Sequence, residues 1–172
     1  SRLQKLTGRE LSYVNLTDIA AGLESVRMFR EPAAVVIKHN SPSGISLATG
    51  IALGSSSAKV LTRAVEADPE SDFGGVVVLN RPMDIETAQA FANFKEESGV
   101  LIDIVAVPDT TDAARNFIRN VRKSTGIYTF GEIPQKRSNN KHLRFIDGGF
   151  VAQDWDDDIE KSFADWKVAG EF

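Results

Sequence analysis

Val35-Val36-Ile37-Lys38-His39-Asn40-Ser41-Pro42-Ser43-Gly44 changes character halfway along. Its first half closes an apolar run, Ala33 to Ile37, that follows Pro32. A short β-branched run of this kind reads as a buried strand. The run ends in a cation, an imidazole and an amide, and Pro42 and Gly44 then predict a turn. Polar groups at the end of a buried α/β strand are held rigidly and face the crevice where such folds place ligands. Lys38 brings a positive charge with movable donors. His39 can carry a proton near neutral pH. Ser41 and the amides around Gly44 offer a place for an anion. The same residues also make a strand-end loop with a surface lysine and a capping histidine, and this stretch alone leaves both readings open.

Outward from this stretch, helices and strands alternate. On the amino-terminal side Ile19, Leu23 and Val26 recur at helical spacing, with Asn15 as the cap, Asp18 in the first turn and an end near Arg30. On the carboxyl side residues 45–56 read as a Gly/Ser/Thr loop. Ser57 to Ala67 reads as a helix with Ala58, Leu61 and Val65 on one face, stopped by Asp68-Pro69. Gly75 to Leu79 is a valine-rich strand. Asp84 caps a helix that puts Ile85, Ala88 and Ala92 inward. Leu101 to Val107 is a buried-type strand interrupted by Asp103. Asp109 opens a helix with Ala113, Phe117 and Val121 on its inner face. Leu143–Ile146 and Phe150–Gln153 predict a hairpin across Asp147-Gly148-Gly149. The alternation predicts an α/β class, a layered and largely parallel sheet flanked by helices, in one domain over residues 1–172. Residues 1–10 and 134–142 are polar and read as mobile. Trp155 and Trp166 read as packing on the core or at an interface.

The chain has 172 residues, 42% of them hydrophobic and 26% charged, which suits an ordinary soluble domain with a real core. A net charge of -4 gives no general basic surface for nucleic acid. There are no cysteines, so neither a disulfide framework nor a thiolate metal site is available. No apolar run approaches the roughly 20 residues of a membrane span, and no signal peptide is visible. These features predict a cytoplasmic protein with no membrane and no nucleic-acid partner.

Beyond Lys38 and His39, three places carry candidate chemistry. Asp103 lies inside an apolar strand, where a carboxylate is costly unless paired or hydrogen-bonded. It either points outward or belongs to a site. Ser71-Asp72-Phe73-Gly74-Gly75 joins a helix to a strand, and paired glycines allow close approach of backbone to a ligand or simply make a tight turn. Asn15 is a helix cap, a ligand contact, or both. His142 stands in a Lys/Arg/Asn-rich stretch and reads as a surface residue. With no cysteine and no His-x-x-Glu-His arrangement, no metal is expected.

Ile37-Lys38-His39-Asn40-Ser41-Pro42-Ser43-Gly44 resembles the Lys-His-x-x-Pro-x-Gly signature of the bifunctional purine biosynthesis family that joins AICAR transformylase to IMP cyclohydrolase. Three further blocks fall in that family's order. Leu11-Ser12-Tyr13-Val14-Asn15-Leu16-Thr17-Asp18 resembles its Leu-Ser-Tyr-x-Asn-Leu-x-Asp segment, and Asp68 to Gly75 with Leu79-Asn80-Arg81-Pro82 resembles its Ser-x-Phe-Gly-Gly loop and following strand. Asp103 to Pro108 resembles its acidic-then-Ile/Val-Ala-Pro strand. Four ordered blocks over roughly residues 10–110 make the resemblance specific where each alone would be weak.

The resemblance implies a cytidine-deaminase-like fold without the deaminase zinc signature. It implies formyl transfer from 10-formyltetrahydrofolate, as co-substrate, to the 5-amino group of AICAR, with Lys38 and His39 catalytic. Asn15, Ser71, Phe73, Gly74 and Asp103 would bind the nucleotide. A face that would dock on the family's second half is expected to be left exposed and apolar, which predicts a homo-oligomer, a dimer or larger. Only the first half of the transformylase region is matched. The upstream Arg-Tyr-Gly segment and the later Ser-Asn-(Ser/Ala) and Phe-Phe-Pro-Phe motifs are missing, and Ser43 stands where many relatives have Cys or Ala. The expectation is therefore a partial domain, inactive alone. The alternative is a non-catalytic purine-nucleotide-binding or subunit-interaction domain on the same scaffold.

Overall fold

The opening apolar run is β2 (Ala33–Lys38), an inner strand of a six-stranded sheet. The computed structural model describes residues 3–49, 56–97, 99–133, 141–155 and 167. Residues 50–55 of the expected loop, 134–140 of the expected mobile stretch, and Trp166 lie outside the described residues. The chain divides into two units, Ser1–Ile133 and Pro134–Phe172, where the sequence predicts one domain.

In the first unit β1 (Gln4–Thr7), α1 (Tyr13–Arg27), β2, β3 (Ser41–Leu47), α2 (Ser57–Glu66), β4 (Gly75–Leu79), α3 (Ile85–Glu97), β5 (Ile102–Val107), α4 (Asp112–Val121) and β6 (Gly126–Thr129) follow in order. The sheet runs β1-β6-β5-β4-β2-β3. Strands β4, β5 and β6 are parallel, β2 is antiparallel to β4 and to β3, and β1 is antiparallel to β6. The α/β layering is as expected, and β3 to β6 share one direction. The strands of Lys38 and Asp103, expected to be adjacent or near-adjacent and parallel, are near-adjacent, with β4 between them, but β2 runs in the opposite direction.

Burial explains the strand sequences. Ala34 and Val36 of β2 face α2, α3 and α4, while Ala33, Val35 and Ile37 face α1. A strand covered on both sides needs apolar residues at every position, so β2, β4 and β6 read as continuous runs rather than alternations.

Helix boundaries correct the sequence reading in places. Ser12, not Asn15, caps α1, and Asn15 closes a capping box by accepting from the Ser12 amide. Asp18 lies beyond the first turn. Thr111 rather than Asp109 caps α4, whose buried face is Ala114 and Ile118, one residue on from the expected set; Val121 is exposed. In α3 Asp84 does cap, through the Thr87 amide at 2.8 Å, but Phe91 and Phe94 join Ala88 inside while Ile85 is exposed.

Pro42 and Gly44 do not make a turn; they lie in β3, which continues to Leu47 through part of the expected loop. Pro42 is tolerated because β3 is an edge strand, bulged at this point. Gly44 is required because a Cβ there would sit 1.9 Å from the Ala64 carbonyl oxygen of α2. Gln4–Thr7, in the polar start, forms β1.

The second unit contains β7 (Lys141–Ile146) and β8 (Gly149–Asp154), paired antiparallel across Asp147-Gly148, with Gly148 at φ +78. This is the predicted hairpin, with each strand two residues longer. His142 is exposed and stacks on Trp155 with ring centroids 4.4 Å apart.

Candidate functional site

The turn between β2 and β3 consists of His39 and Asn40 alone, because Lys38 pairs with Ser41. Both are left-handed, at φ 52 and 64. Two-residue hairpin loops of this hand match strand twist, but a non-glycine residue in that region costs about 1–2 kcal/mol. Asp18 of α1 offsets the cost: it is buried, and its Oδ1 accepts from the Asn40 amide at 2.7 Å. The histidine is therefore exposed yet fixed, on a turn with no slack.

Across from the turn, the loop before β4 presents its backbone. Lys38 Nζ donates to the Phe73 carbonyl oxygen. The Gly74 amide donates to the Leu101 oxygen at 2.6 Å, and the Gly75 amide to the Asp72 oxygen at 2.9 Å. Gly74 has φ +71, and a Cβ there would lie 3.1 Å from Lys38 Nζ and 3.8 Å from Asp103 Oδ2. Lys38 and Asp103 thus converge on one point beside Gly74.

Asp103 reaches this point through a bulge. Gly75 pairs with Ile102 and Val76 with Ile104, so Asp103 is the extra residue of β5. Bulges of this kind re-aim a side chain. Asp103 is half-buried and forms an ion pair with Arg9 Nη1. Arg9 is positioned in turn by its backbone oxygen, which accepts from the Tyr128 hydroxyl at 2.9 Å.

A second bulge lies in β3. Val36 pairs with Gly44 and Ile37 with Pro42, leaving Ser43 as the extra residue. Its hydroxyl faces both the Val36 carbonyl oxygen, at 3.3 Å, and Asp72 Oδ1. Asp72 is 0% exposed. Burial pushes its carboxyl up to about 6, against the Ser43 hydrogen bond that lowers it, with the Asp68 charge raising it further.

The structure brings Lys38, Phe73, Gly74 and Asp103 together, with His39 beside them on the turn. Ser71 is turned to local work: its amide and hydroxyl hold Asp68, at 3.2 and 2.5 Å, and lower that carboxyl. Asn15 is likewise turned to local work, its Oδ1 accepting from the Ser12 amide and hydroxyl at 3.1 and 2.9 Å. Sequence reasoning missed Arg9, Asp18 and Asp72. The Asp18 signal was legible in the Leu-x-Asp block, but pairings such as Arg9 with Asp103 leave no local trace.

Because β2 is reversed, this edge holds the carboxyl end of β2 and the amino ends of β4 and β5. At the other edge, Pro108 and Gly131 border an open crevice of about 650 Å3 whose charged groups, Asp109 and Glu132, are acidic and disfavour an anion. Among the described residues no group of three His, Cys, Asp or Glu is placed to hold a metal ion, and no helix is long and apolar enough to cross a membrane.

Comparison with known proteins gives two findings. The family model described as AICARFT/IMPCHase bienzyme matches residues 1–171. A bifunctional purine biosynthesis protein PurH from Shouchella clausii (strain KSM-K16) is 36% identical over 159 residues, covering 91% of this chain and 28% of that protein. The chain thus spans under a third of the relative's length.

Proposed function

The chain belongs to the AICARFT/IMPCHase bienzyme family, and from that premise we propose that the Lys38–Asp103 edge is the nucleotide side of an AICAR formyltransferase site. The observation that carries the reading is the convergence of Lys38 and Asp103 on Gly74, beside a histidine on a rigid turn. The finer fold assignment, cytidine-deaminase-like, goes with it.

The residues suit the reaction. The 5-amino group of AICAR is a poor nucleophile, its lone pair being delocalised into the imidazole and carboxamide. His39 takes the amine proton as the new nitrogen–carbon bond forms to the formyl carbon. Lys38 stabilises the oxygen on which charge develops, and the bond from that carbon to the folate nitrogen then breaks, with a proton delivered to the nitrogen. Asp103 and Asn15 take polar edges of the nucleotide, Arg9 its anionic charge, and the exposed ring of Phe73 lies against its planar heterocycle.

The test is calorimetric titration of AICAR into residues 1–172 and into Lys38→Ala and Asp103→Asn. Binding that both substitutions weaken supports the reading; absence of binding, or binding indifferent to both, overturns it. In a full-length bienzyme carrying this segment, His39→Ala lowers turnover about a hundredfold with little change in AICAR affinity. The 1–172 chain alone gives no formyl transfer, because its edge supplies one wall of a two-substrate site.

One observation favours a subunit-interaction role for the second unit. Leu143, Phe145, Phe150 and Ala152 share a face of the β7–β8 hairpin by register, with Phe145 79% and Phe150 61% exposed. Such a face favours self-association, and sedimentation of Phe145→Asp against the unsubstituted chain at several concentrations tests it.

A further inference from the structure

We propose that Asp72 and Ser43 are a positioning pair: their link fastens the Phe73–Gly74 loop to the Lys38–His39 hairpin and so sets the width of the site.

The two walls of this edge come from different parts of the chain. The hairpin wall carries Lys38 and His39; the loop wall carries Phe73 and Gly74. Lys38 itself crosses the gap, by its bond to the Phe73 oxygen, but a lysine that serves a substrate must be free to leave that oxygen. The Ser43–Asp72 bond is a second tie between the loop and the hairpin, and Asp72 is fully buried. Ser43 is the extra residue of the β3 bulge, so its hydroxyl is aimed by the backbone and not by a flexible stem.

Proton accounting shows that this link has two states. The Ser43 hydroxyl has one hydrogen and faces two acceptors, the Val36 oxygen and Asp72 Oδ1. With Asp72 ionised, the hydrogen serves one of them, and Asp72 Oδ2 is buried with no hydrogen-bond partner among the described residues. With Asp72 protonated, its hydroxyl donates to Ser43 and Ser43 donates to Val36, and both bonds form at once. Burial favours the protonated acid, and the Ser43 hydrogen bond opposes that shift. Other charged groups around the loop are Asp68 on the segment after α2, Lys38 at the end of β2, and Asp103 at the start of β5. Protonation of Asp72 therefore changes how the two walls are joined.

The inference concerns the spacing of the edge and rests on the proposed function only for its last readout. Amide resonances of the intact chain are followed by NMR from pH 4.5 to 8 in a His39→Gln background, which removes the neighbouring imidazole, alone and with Asp72→Asn or Ser43→Ala. The Lys38 and Gly74 amides of the background chain are expected to shift together with a midpoint near 6. With Asp72→Asn, whose amide still donates to Ser43, that titration disappears and the resonances stay near their low-pH positions. With Ser43→Ala, Gly74 still titrates while Lys38 moves much less, because one of the two ties across the gap is cut. A Lys38 amide that does not move between pH 5 and 7, or that titrates alike with Asp72→Asn, overturns the proposal. Should Asp72→Asn fail to fold, the Ser43→Ala comparison decides alone. With AICAR as the probe, Ser43→Ala is expected to bind about tenfold more weakly and Asp72→Asn within about threefold of native, since small misplacements are amplified in positioned sites. If no protein binds AICAR, the proposed function fails while the ligand-free titration still decides this inference.

Discussion

Gly74→Ala isolates the contact on which the functional reading depends, provided it is measured beside Gly99→Ala. Both glycines are left-handed, at φ +71 and +72. Adding a Cβ in that region costs about 1–2 kcal/mol, partly offset by about 0.4–1 kcal/mol from restricting the unfolded chain. The net is roughly 1 kcal/mol at each site, or a fall of about 2–4 °C in melting temperature for a chain of this size. The surroundings differ. At Gly99 nothing lies within 4 Å of the new Cβ, whereas at Gly74 Lys38 Nζ lies 3.1 Å away. A lysine tip can yield by a few tenths of an ångström, so stability falls about equally in the two variants. The position of the ammonium does not survive the shift. AICAR affinity should therefore drop about tenfold in Gly74→Ala, equivalent to about 1.4 kcal/mol, and stay within about twofold in Gly99→Ala. Urea denaturation gives the first quantity and calorimetric titration the second. A folded Gly74→Ala that binds AICAR as tightly as the native chain, or two variants with equal losses of affinity, would refute the placement of the nucleotide against Gly74.

Three other perturbations follow from the same geometry. Asp18→Ala removes the carboxylate that holds the Asn40 amide and should cost about 1.5–3 kcal/mol; unchanged hydrogen exchange at Asn40 would argue against the anchor. Burial pushes the folded Asp72 carboxyl up to about 6 from the ordinary aspartate value of 3.8, so the native state holds the extra proton between them. Stability should thus fall, on the order of 2 kcal/mol, as pH rises from about 4 through about 6, and level off above; urea midpoints should show this slope in the native chain and lose it in Asp72→Asn. Phe91→Ala empties a buried position that packs edge-on against Phe94 at 6.0 Å and should cost roughly 3–5 kcal/mol; a loss under 1 kcal/mol in denaturant would show that α3 repacks freely.

What the sequence disclosed follows the range of the forces involved. The runs at β2, β4 and β5 were legible because full burial writes itself into every residue of a strand. The motif residues Lys38, Phe73, Gly74 and Asp103 were legible as a group, and the fold does bring them to one edge. The turn was misplaced because proline and glycine are strong local breakers, and here a bulged edge strand absorbs one and a helix carbonyl demands the other. His39-Asn40 lacks a glycine, so nothing local marked it as a left-handed pair; its anchor is Asp18, on another element. The α4 face was read one residue early because Val121 is apolar but lies at the exposed end of the helix. Strand β6 is only four residues long and begins with a glycine, too short for any periodicity to register.

The pairing of β1 with β6 sets an order of assembly. Lys38 and Phe73 are 35 residues apart, and β2 to β5 can close around them early. Arg9 waits for Tyr128, 119 residues further along the chain. Loops of that span close slowly, since their entropy is lost before their contacts form. During synthesis β1 lacks its sheet partner until β6 has left the ribosome. The cation opposite Asp103 is then the final piece of the edge to arrive, so the nascent site passes from a lysine–aspartate pair to a three-charge cluster only when the sheet is complete.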